Sequence, residues 1–232
     1  MNHLARYSTI LFDLNGTLAR DYDRFGPHQD YHATYTRLGG RTLASSHLHE
    51  IITSSLARLM ERYEGGCPDD FPPYRDFIDD ANCLSEAELQ LIENTVAEHE
   101  IGYISPSCVA FLKDLSERHV LGIVSDLWAP AACCREYFRN QGLDALFGVL
   151  VFSSEEGAVK PSCKPFMKAM SELGAQAART LFVGNDPLRD IEGAASCGMK
   201  TVLIGSAECY PTDSRADYAI DTIEELLEIK VD

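Results

Sequence analysis

The chain has no apolar run of the length a membrane-spanning helix needs; stretches such as Val149-Leu150-Val151-Phe152 stop far short of it. The N-terminal apolar run meets Asp13 too early to serve as the core of a signal peptide. Basic residues are scarce, 20 Lys and Arg against 36 Asp and Glu. The resulting formal charge of −16 repels polyphosphate backbones and excludes general nucleic-acid binding. The eight cysteines include no C-x-x-C pair and no zinc-type interleaving with histidine, so they read as reduced thiols rather than a disulfide framework or a metal cage. Internal repeats and low-complexity segments are lacking as well. These absences lead to the expectation of a cytoplasmic protein with no membrane and no nucleic-acid partner, a monomer or a homodimer.

What is present is a chain of 232 residues, 45% of them apolar, enough for one large α/β domain or for a core with a smaller insert. Its most informative stretch is Thr9-Ile10-Leu11-Phe12-Asp13-Leu14-Asn15-Gly16-Thr17. An apolar run that ends abruptly in short polar residues and a glycine reads as a buried strand carrying Asp13 to the rim of a sheet, where open α/β folds place ligands. A carboxylate there can attack phosphorus when a cation neutralises the substrate. Taken alone, Asp13 and Asn15 read equally well as caps of the turn after a strand.

From Ala19 to Glu100 the pattern is helical. Leu48, Ile51, Ile52, Leu56, Leu59, Met60 and Tyr63 fall at three- and four-residue steps, which predicts an amphipathic helix over 46–63. A loop rich in Pro, Gly and Asp follows over 64–73, then a short segment over 74–81. Ser85 with Glu88 forms a capping box that opens a helix running towards Glu100. From Pro106 the character alternates: helix 108–118, strand 120–125, helix 131–141, strand 148–152, helix 164–173, strand 180–183, helix 188–197, strand 200–204 and a last helix from Thr222. Strands alternating with helices of this length specify a doubly wound parallel sheet covered on both faces. The expected organisation is an α/β core over 1–18 and 101–232, split by a helical insert over 19–100.

Each later strand also ends at a polar signature: Ser125-Asp126 after strand 120–125, Lys160-Pro161 beyond strand 148–152, and Asn185-Asp186 after strand 180–183. In a parallel sheet these ends share one edge, so Asp13, Ser125, Lys160 and Asp186 can converge. Ser125 would donate to a phosphoryl oxygen, Lys160 would neutralise charge, and Asp13 with Asp186 would share a hard cation. Singly, Ser125 reads as a turn residue or cap, Lys160 as a solvated side chain and Asp186-Pro187 as a turn starter. The joint occurrence in this order is what points to a site.

These residues resemble the haloacid dehalogenase superfamily of aspartate-nucleophile hydrolases. The family's D-x-D-G-T motif is matched by Asp13-Leu14-Asn15-Gly16-Thr17, its Ser/Thr motif by Ser125 and its K-P-x-x-x-x-F motif by Lys160, Pro161 and Phe166. Its acidic motif is matched by Gly184 through Asp190-Ile191-Glu192-Gly193-Ala194 to Gly198-Met199. The resemblance implies a Rossmann-like core with a helical cap inserted after the first motif, and a magnesium-dependent phosphatase acting on a small phosphorylated metabolite through an aspartyl-phosphate on Asp13. It implies a phosphate pocket of Asn15, Gly16, Thr17, Ser125, Asp126 and Lys160, and a magnesium site of Asp13, the Asn15 carbonyl, Asn185, Asp186 and Asp190.

Two positions depart from the pattern. Asn15 stands where the family's phosphatases carry the acid-base aspartate, and Asn185 where the first acidic residue is usual. Asn15 can neither protonate a leaving oxygen nor deprotonate water, which implies impaired turnover of alkyl phosphates. Alternatives are a phosphate-ester binding or regulatory protein, a 2-haloacid dehalogenase, for which Asn15 is no obstacle, and a phosphotransferase built from the same parts. Substrate contacts from the insert are sought among Arg24, His28, His32, Arg41 and His47, with Arg41 preferred because Gly39-Gly40 gives its fork-shaped donor a flexible turn.

Overall fold

The structure, a computed structural model, describes residues 3–79, 81–205 and 215–229. Six parallel strands form one sheet: β1 (Thr9–Phe12), β4 (Val120–Ser125), β5 (Phe147–Phe152), β6 (Thr180–Gly184), β7 (Lys200–Ile204) and β8 (Tyr218–Ile220), in the spatial order β5-β4-β1-β6-β7-β8. The remaining strands, β2 (Ala19–Arg20) and β3 (Tyr103–Ile104), pair antiparallel where the chain leaves the sheet layer for the insert and where it returns.

Side-chain alternation divides the core. Ile10, Phe12, Leu121, Ile123, Leu181 and Val183 face one layer with α4 (Pro106–Ser116) and α5 (Ala131–Asn140). Leu11, Val124 and Phe182 face the other with α7 (Cys163–Leu173) and α8 (Gly193–Ser196). All four residues of β1 are buried, as a strand covered by helices on both faces requires. The connections run outward from β1 in both directions, first to β4 and β5, then to β6, β7 and β8. The carboxyl ends of β4 and β6 therefore flank that of β1, the topological switch point of such a sheet.

The insert holds α1 (Tyr31–Arg37), α2 (Ser45–Glu64) and α3 (Glu86–Glu100), around a core of Tyr31, Tyr35, Ile52, Leu59, Tyr74 and Ile92 that extends onto Trp128, Ala129 and Val159 of the sheet layer. Asp30 caps α1, and Ser85 accepts from the Glu88 N–H at the start of α3 as its capping box predicts.

Within the short segment after the loop, Tyr74–Phe77 form a 3-10 turn. Two expectations are corrected. Residues Pro187–Glu192 wind as a π-helix before α8; the N–H groups of Asp190 and Ile191 both reach the Asp186 carbonyl, widening the turn that brings Asp190 inward. The last helix is a 3-10 turn, Ile223–Leu227, in which Ile223 and Leu226 lie on the same buried side at the three-residue spacing such a turn eclipses. The short elements β8, α1 and α6 (Ser153–Glu156) were not expected.

Candidate active site

The Asp13 N–H donates to the Val183 carbonyl at 2.9 Å, extending the β1–β6 ladder by one residue and fixing where the side chain leaves the sheet. Asp13 Oδ1 accepts from Lys160 Nζ at 2.6 Å and from Ser125 Oγ at 3.1 Å; Oδ2 accepts from Thr17 Oγ1 at 3.2 Å. Residues far apart in the chain thus meet on one carboxylate. Gly16 makes the turn behind it at φ 88°, where a Cβ would lie 2.7 Å from the Asn185 amide, so a side chain is excluded twice over.

Lys160 is buried and bridges two carboxylates, with Asp190 Oδ1 also 2.6 Å from its ammonium. Burial pulls the lysine towards neutrality, but the charges of Asp13, Asp190 and Asp126 outweigh it and hold the ammonium above the ordinary lysine range. Burial pushes the Asp190 carboxyl up to about 6 against the pull of Lys160. Asp190 is heavily engaged: Oδ1 takes Lys160, and Oδ2 takes the N–H groups of Asn185 and Asp186, each at 2.9 Å. It orients Lys160 and the Asn185 loop and lines the cleft. Asp186 lines the cleft while its Oδ1 caps the π-helix through the Leu188 and Arg189 N–H groups. Asp126 accepts from the Lys160 N–H at 3.1 Å and from the Tyr63 hydroxyl at 2.7 Å, so its carboxylate braces the Lys160 loop and offers a phosphate no donor.

One terminal atom of the Asn185 amide lies 3.2 Å from each of Asp13 Oδ2, Thr17 Oγ1 and the Asn15 carbonyl. With its nitrogen at that point, the amide donates to these oxygens. With its oxygen there, it accepts from the Thr17 hydroxyl and stands with Asp13 Oδ2 and Asn15 O as a set of oxygens that a cation would reconcile. Six acidic side chains line the cleft (Asp13, Asp23, Glu100, Asp126, Asp186 and Asp190) against Lys160 and Arg189, an imbalance that a phosphate dianion meets only with added positive charge. The residues therefore fit a hard divalent ion held by one carboxylate and neutral oxygens. Among the described residues no group of three or more His, Cys, Asp or Glu side chains is placed to hold a metal by itself.

Asn15 donates from Nδ2 to the Glu100 carbonyl at 3.2 Å, and its Oδ1 is buried without a hydrogen-bond partner. An ionised aspartate would face that carbonyl repulsively, so the position is built for a donor.

Above these groups lies a cavity of about 580 Å³, walled by Tyr22, Phe25, Tyr31, Leu56, Met60, Tyr63 and Trp128. None of Arg24, His28, His32, Arg41 and His47 lines it. Arg41 is exposed, and its turn is not free to swing: Gly40 packs where a Cβ would overlap the Tyr35 ring at 2.2 Å, and the Tyr35 hydroxyl accepts from the Thr42 and Leu43 N–H groups. The cleft arginine is Arg189, which the motif reading missed. It donates to the Lys160 and Tyr63 carbonyls at 2.9 and 3.1 Å, and its guanidinium carbon stands 3.3 Å from the centroid of the Tyr63 ring. Its place between Asp186 and Asp190, inside the acidic motif, was the available signal.

The family model of haloacid dehalogenase-like hydrolases matches residues 10–204. The chain is 38% identical over 91 residues to pyrophosphatase PpaX of Halalkalibacterium halodurans, covering 38% of this chain and 42% of that protein. It is 28% identical over 134 residues to ribulose-1,5-bisphosphate 5-phosphatase of Halopiger xanaduensis, 53% and 55% of the two chains. It is 32% identical over 122 residues to glyceraldehyde 3-phosphate phosphatase of Methanocaldococcus jannaschii, 51% and 54%. The matches thus span about half the length of these relatives. In fold, the chain superposes on the crystal structure of a HAD phosphatase from Thermococcus onnurineus, with TM-score 0.64, 24% identity and coverage of 95% and 96%. It also superposes on a 2-haloacid dehalogenase from Pseudomonas syringae, with TM-score 0.65, 22% identity and coverage of 96% and 97%.

Proposed function

The chain belongs to the haloacid dehalogenase-like hydrolases, and on that premise we propose that it hydrolyses phosphomonoesters of small organic molecules through a phosphorylated Asp13. The observation that carries this reading is the meeting of Ser125, Lys160 and Thr17 on the Asp13 carboxylate at the carboxyl edge of the sheet. In the first step an Asp13 oxygen bonds to phosphorus while the ester P–O bond breaks; Ser125 and Lys160 turn their donors from Asp13 to the phosphoryl oxygens, where negative charge gathers. In the second step water bonds to phosphorus and the Asp13 carboxylate departs, releasing inorganic phosphate. A magnesium ion, held by Asp13, the Asn15 carbonyl and Asn185 with Asp186 in reach, would offset the charge of phosphate and nucleophile. Residues 19–100 act as the cap whose apolar wall selects the organic part of the ester.

The relatives' phosphatase names support the reaction class, and the aromatic wall supports an organic ester over a bare polyphosphate. The test is turnover of p-nitrophenyl phosphate with and without magnesium, for the parent and for Asp13→Asn. Stimulation by the metal and loss of turnover in the variant are expected; equal rates in the two proteins would reject the reading. A chloroacid run in parallel checks the dehalogenase alternative, since halide leaves without a proton and Asn15 does not hinder it.

A further inference from the structure

Asn15 leaves the proposed reaction without a proton donor where the first motif supplies one. Its amide holds the Glu100 carbonyl, and that same carbonyl accepts the Asp23 N–H at 3.1 Å. Asp23 and Asn15 are thus tied to one peptide oxygen at the end of α3, although the β2 excursion separates them in the chain. The loop is pinned on the far side too: the Arg24 N–H donates to the His99 carbonyl at 2.8 Å, and the Phe25 N–H to the Asp23 carbonyl at 2.7 Å. Asp23 is held at φ 49°, a left-handed backbone that few residues other than glycine adopt and that is kept where surrounding contacts impose it. Its side chain lines the same cleft as Asp13.

The charges around Asp23 suit a proton carrier. The residue is exposed as a whole, yet burial of its carboxyl and the Asp13 charge push it up to about 6 against the pull of Arg24. The Tyr22 hydroxyl, beside it in the loop, is raised by burial and by the charges of Asp23 and Asp13. Glu100, across from it on α3, is pushed up to about 8 by burial, but its two oxygens are taken by the Trp128 and Ala129 N–H groups. Among the acidic side chains of the cleft, Asp126, Asp186, Asp190 and Glu100 are committed to backbone donors, and Asp13 is the nucleophile.

We propose that Asp23 supplies the acid-base function that Asn15 lacks; the inference rests on the phosphomonoesterase reading. As Asp13 bonds to phosphorus and the electron pair of the breaking P–O bond moves to the leaving oxygen, the Asp23 carboxylic proton passes to that oxygen and frees the alcohol. The resulting Asp23 carboxylate takes a proton from the incoming water as its oxygen bonds to phosphorus, and the Asp13–phosphorus bond breaks with its electrons returning to Asp13. Asp23 ends protonated, as it began. The orphaned Asn15 Oδ1 can accept a hydrogen bond from the alcohol or the water and so aim it, without taking its proton.

The test is kcat/KM with magnesium for p-nitrophenyl phosphate and for an alkyl phosphate of similar size, in the parent, Asp23→Asn, Asn15→Asp and the double variant. Asparagine tolerates the left-handed backbone and leaves the N–H bond to Glu100 in place, so the fold is retained. Asp23→Asn is expected to lower the alkyl rate about 10²- to 10³-fold, in the range of general acid catalysis, and the nitrophenyl rate by less than about tenfold, because nitrophenolate departs without a proton. Adding Asn15→Asp to that variant restores the alkyl rate. Equal losses on both esters, or no loss on either, overturn the proposal. So does a parent inactive on the alkyl ester that gains it with Asn15→Asp alone. Loss of the phosphomonoesterase reading is seen separately, as undiminished turnover in Asp13→Asn.

Discussion

The floor and the wall of the cleft are built on opposite principles. On the floor, Asp13, Thr17, Ser125, Lys160 and Asp190 come from strand ends and the loops and π-helix beyond them, and their polar atoms are tied to one another or to backbone N–H groups. On the wall, Tyr22, Phe25, Tyr31, Leu56 and Met60 come from the insert and present mostly carbon. A network of charge-assisted bonds fixes geometry and tolerates no missing member, whereas an apolar wall can be resurfaced at modest cost. On the proposed reading the floor holds the nucleophile and its donors, while the insert contributes the apolar surface for the organic group and, at Asp23, the proton.

Substitutions separate the two. The largest effect is expected from Asp13→Asn, which removes the nucleophile but leaves Lys160 paired with Asp190. Turnover falls by at least about 10³-fold, with little change in melting temperature, measured by steady-state kinetics and calorimetry. Lys160→Met strikes the same floor through stability: two buried carboxylates lose their shared cation at a cost of about 3–5 kcal/mol, read by urea unfolding. Arg189→Ala, at the seam between floor and wall, removes a guanidinium held by two carbonyls and the Tyr63 ring. KM is expected to rise about tenfold while kcat changes less, the signature of lost uniform binding. A kcat loss as large as for Asp13→Asn would move Arg189 onto the floor.

The smallest effect is a pH slope. Burial raises the Glu100 carboxyl from its ordinary 4.5 to about 8, so the folded state favours the protonated form. Stability from this group is present below about 4.5 and is lost as the pH climbs through 8. Glu100→Gln is expected to melt lower at acid pH, having one acceptor for the Trp128 and Ala129 N–H groups, but to flatten the decline between pH 5 and 8, read by calorimetry across that range. An unchanged slope would show that those two N–H groups already stabilise the ionised form.

The floor was legible in the sequence because its residues follow apolar strands, and a parallel sheet gathers strand ends on one edge whatever lies between them. The alternation of Ile10, Leu11 and Phe12 between the two core layers is the period-two rule at work. The wall was not legible. Leu56 and Met60 were readable as one face of an amphipathic helix, but nothing in the spacing said that this face also borders a cavity. Arg41 was favoured for the glycines before it, yet Gly40 serves close packing on Tyr35 rather than mobility. Arg189 escaped because a cation in an acidic motif reads as a local ion pair until the π-helix shows where it points. Asp126 and Asp190 are expected at the ligand from their place in the motifs; both line the cleft, and their bonds to the Lys160 and Asn185 backbones add a bracing role that only three-dimensional neighbours can show.

The most direct test of the account is to quench the chain in acid during turnover of p-nitrophenyl phosphate with magnesium and to map the peptides by mass spectrometry. One phosphoryl group on the peptide carrying Asp13, labile to hydroxylamine and absent from Asp13→Asn, is the predicted result. Turnover that proceeds with that peptide unmodified in single-turnover samples, or that survives Asp13→Asn, would contradict it.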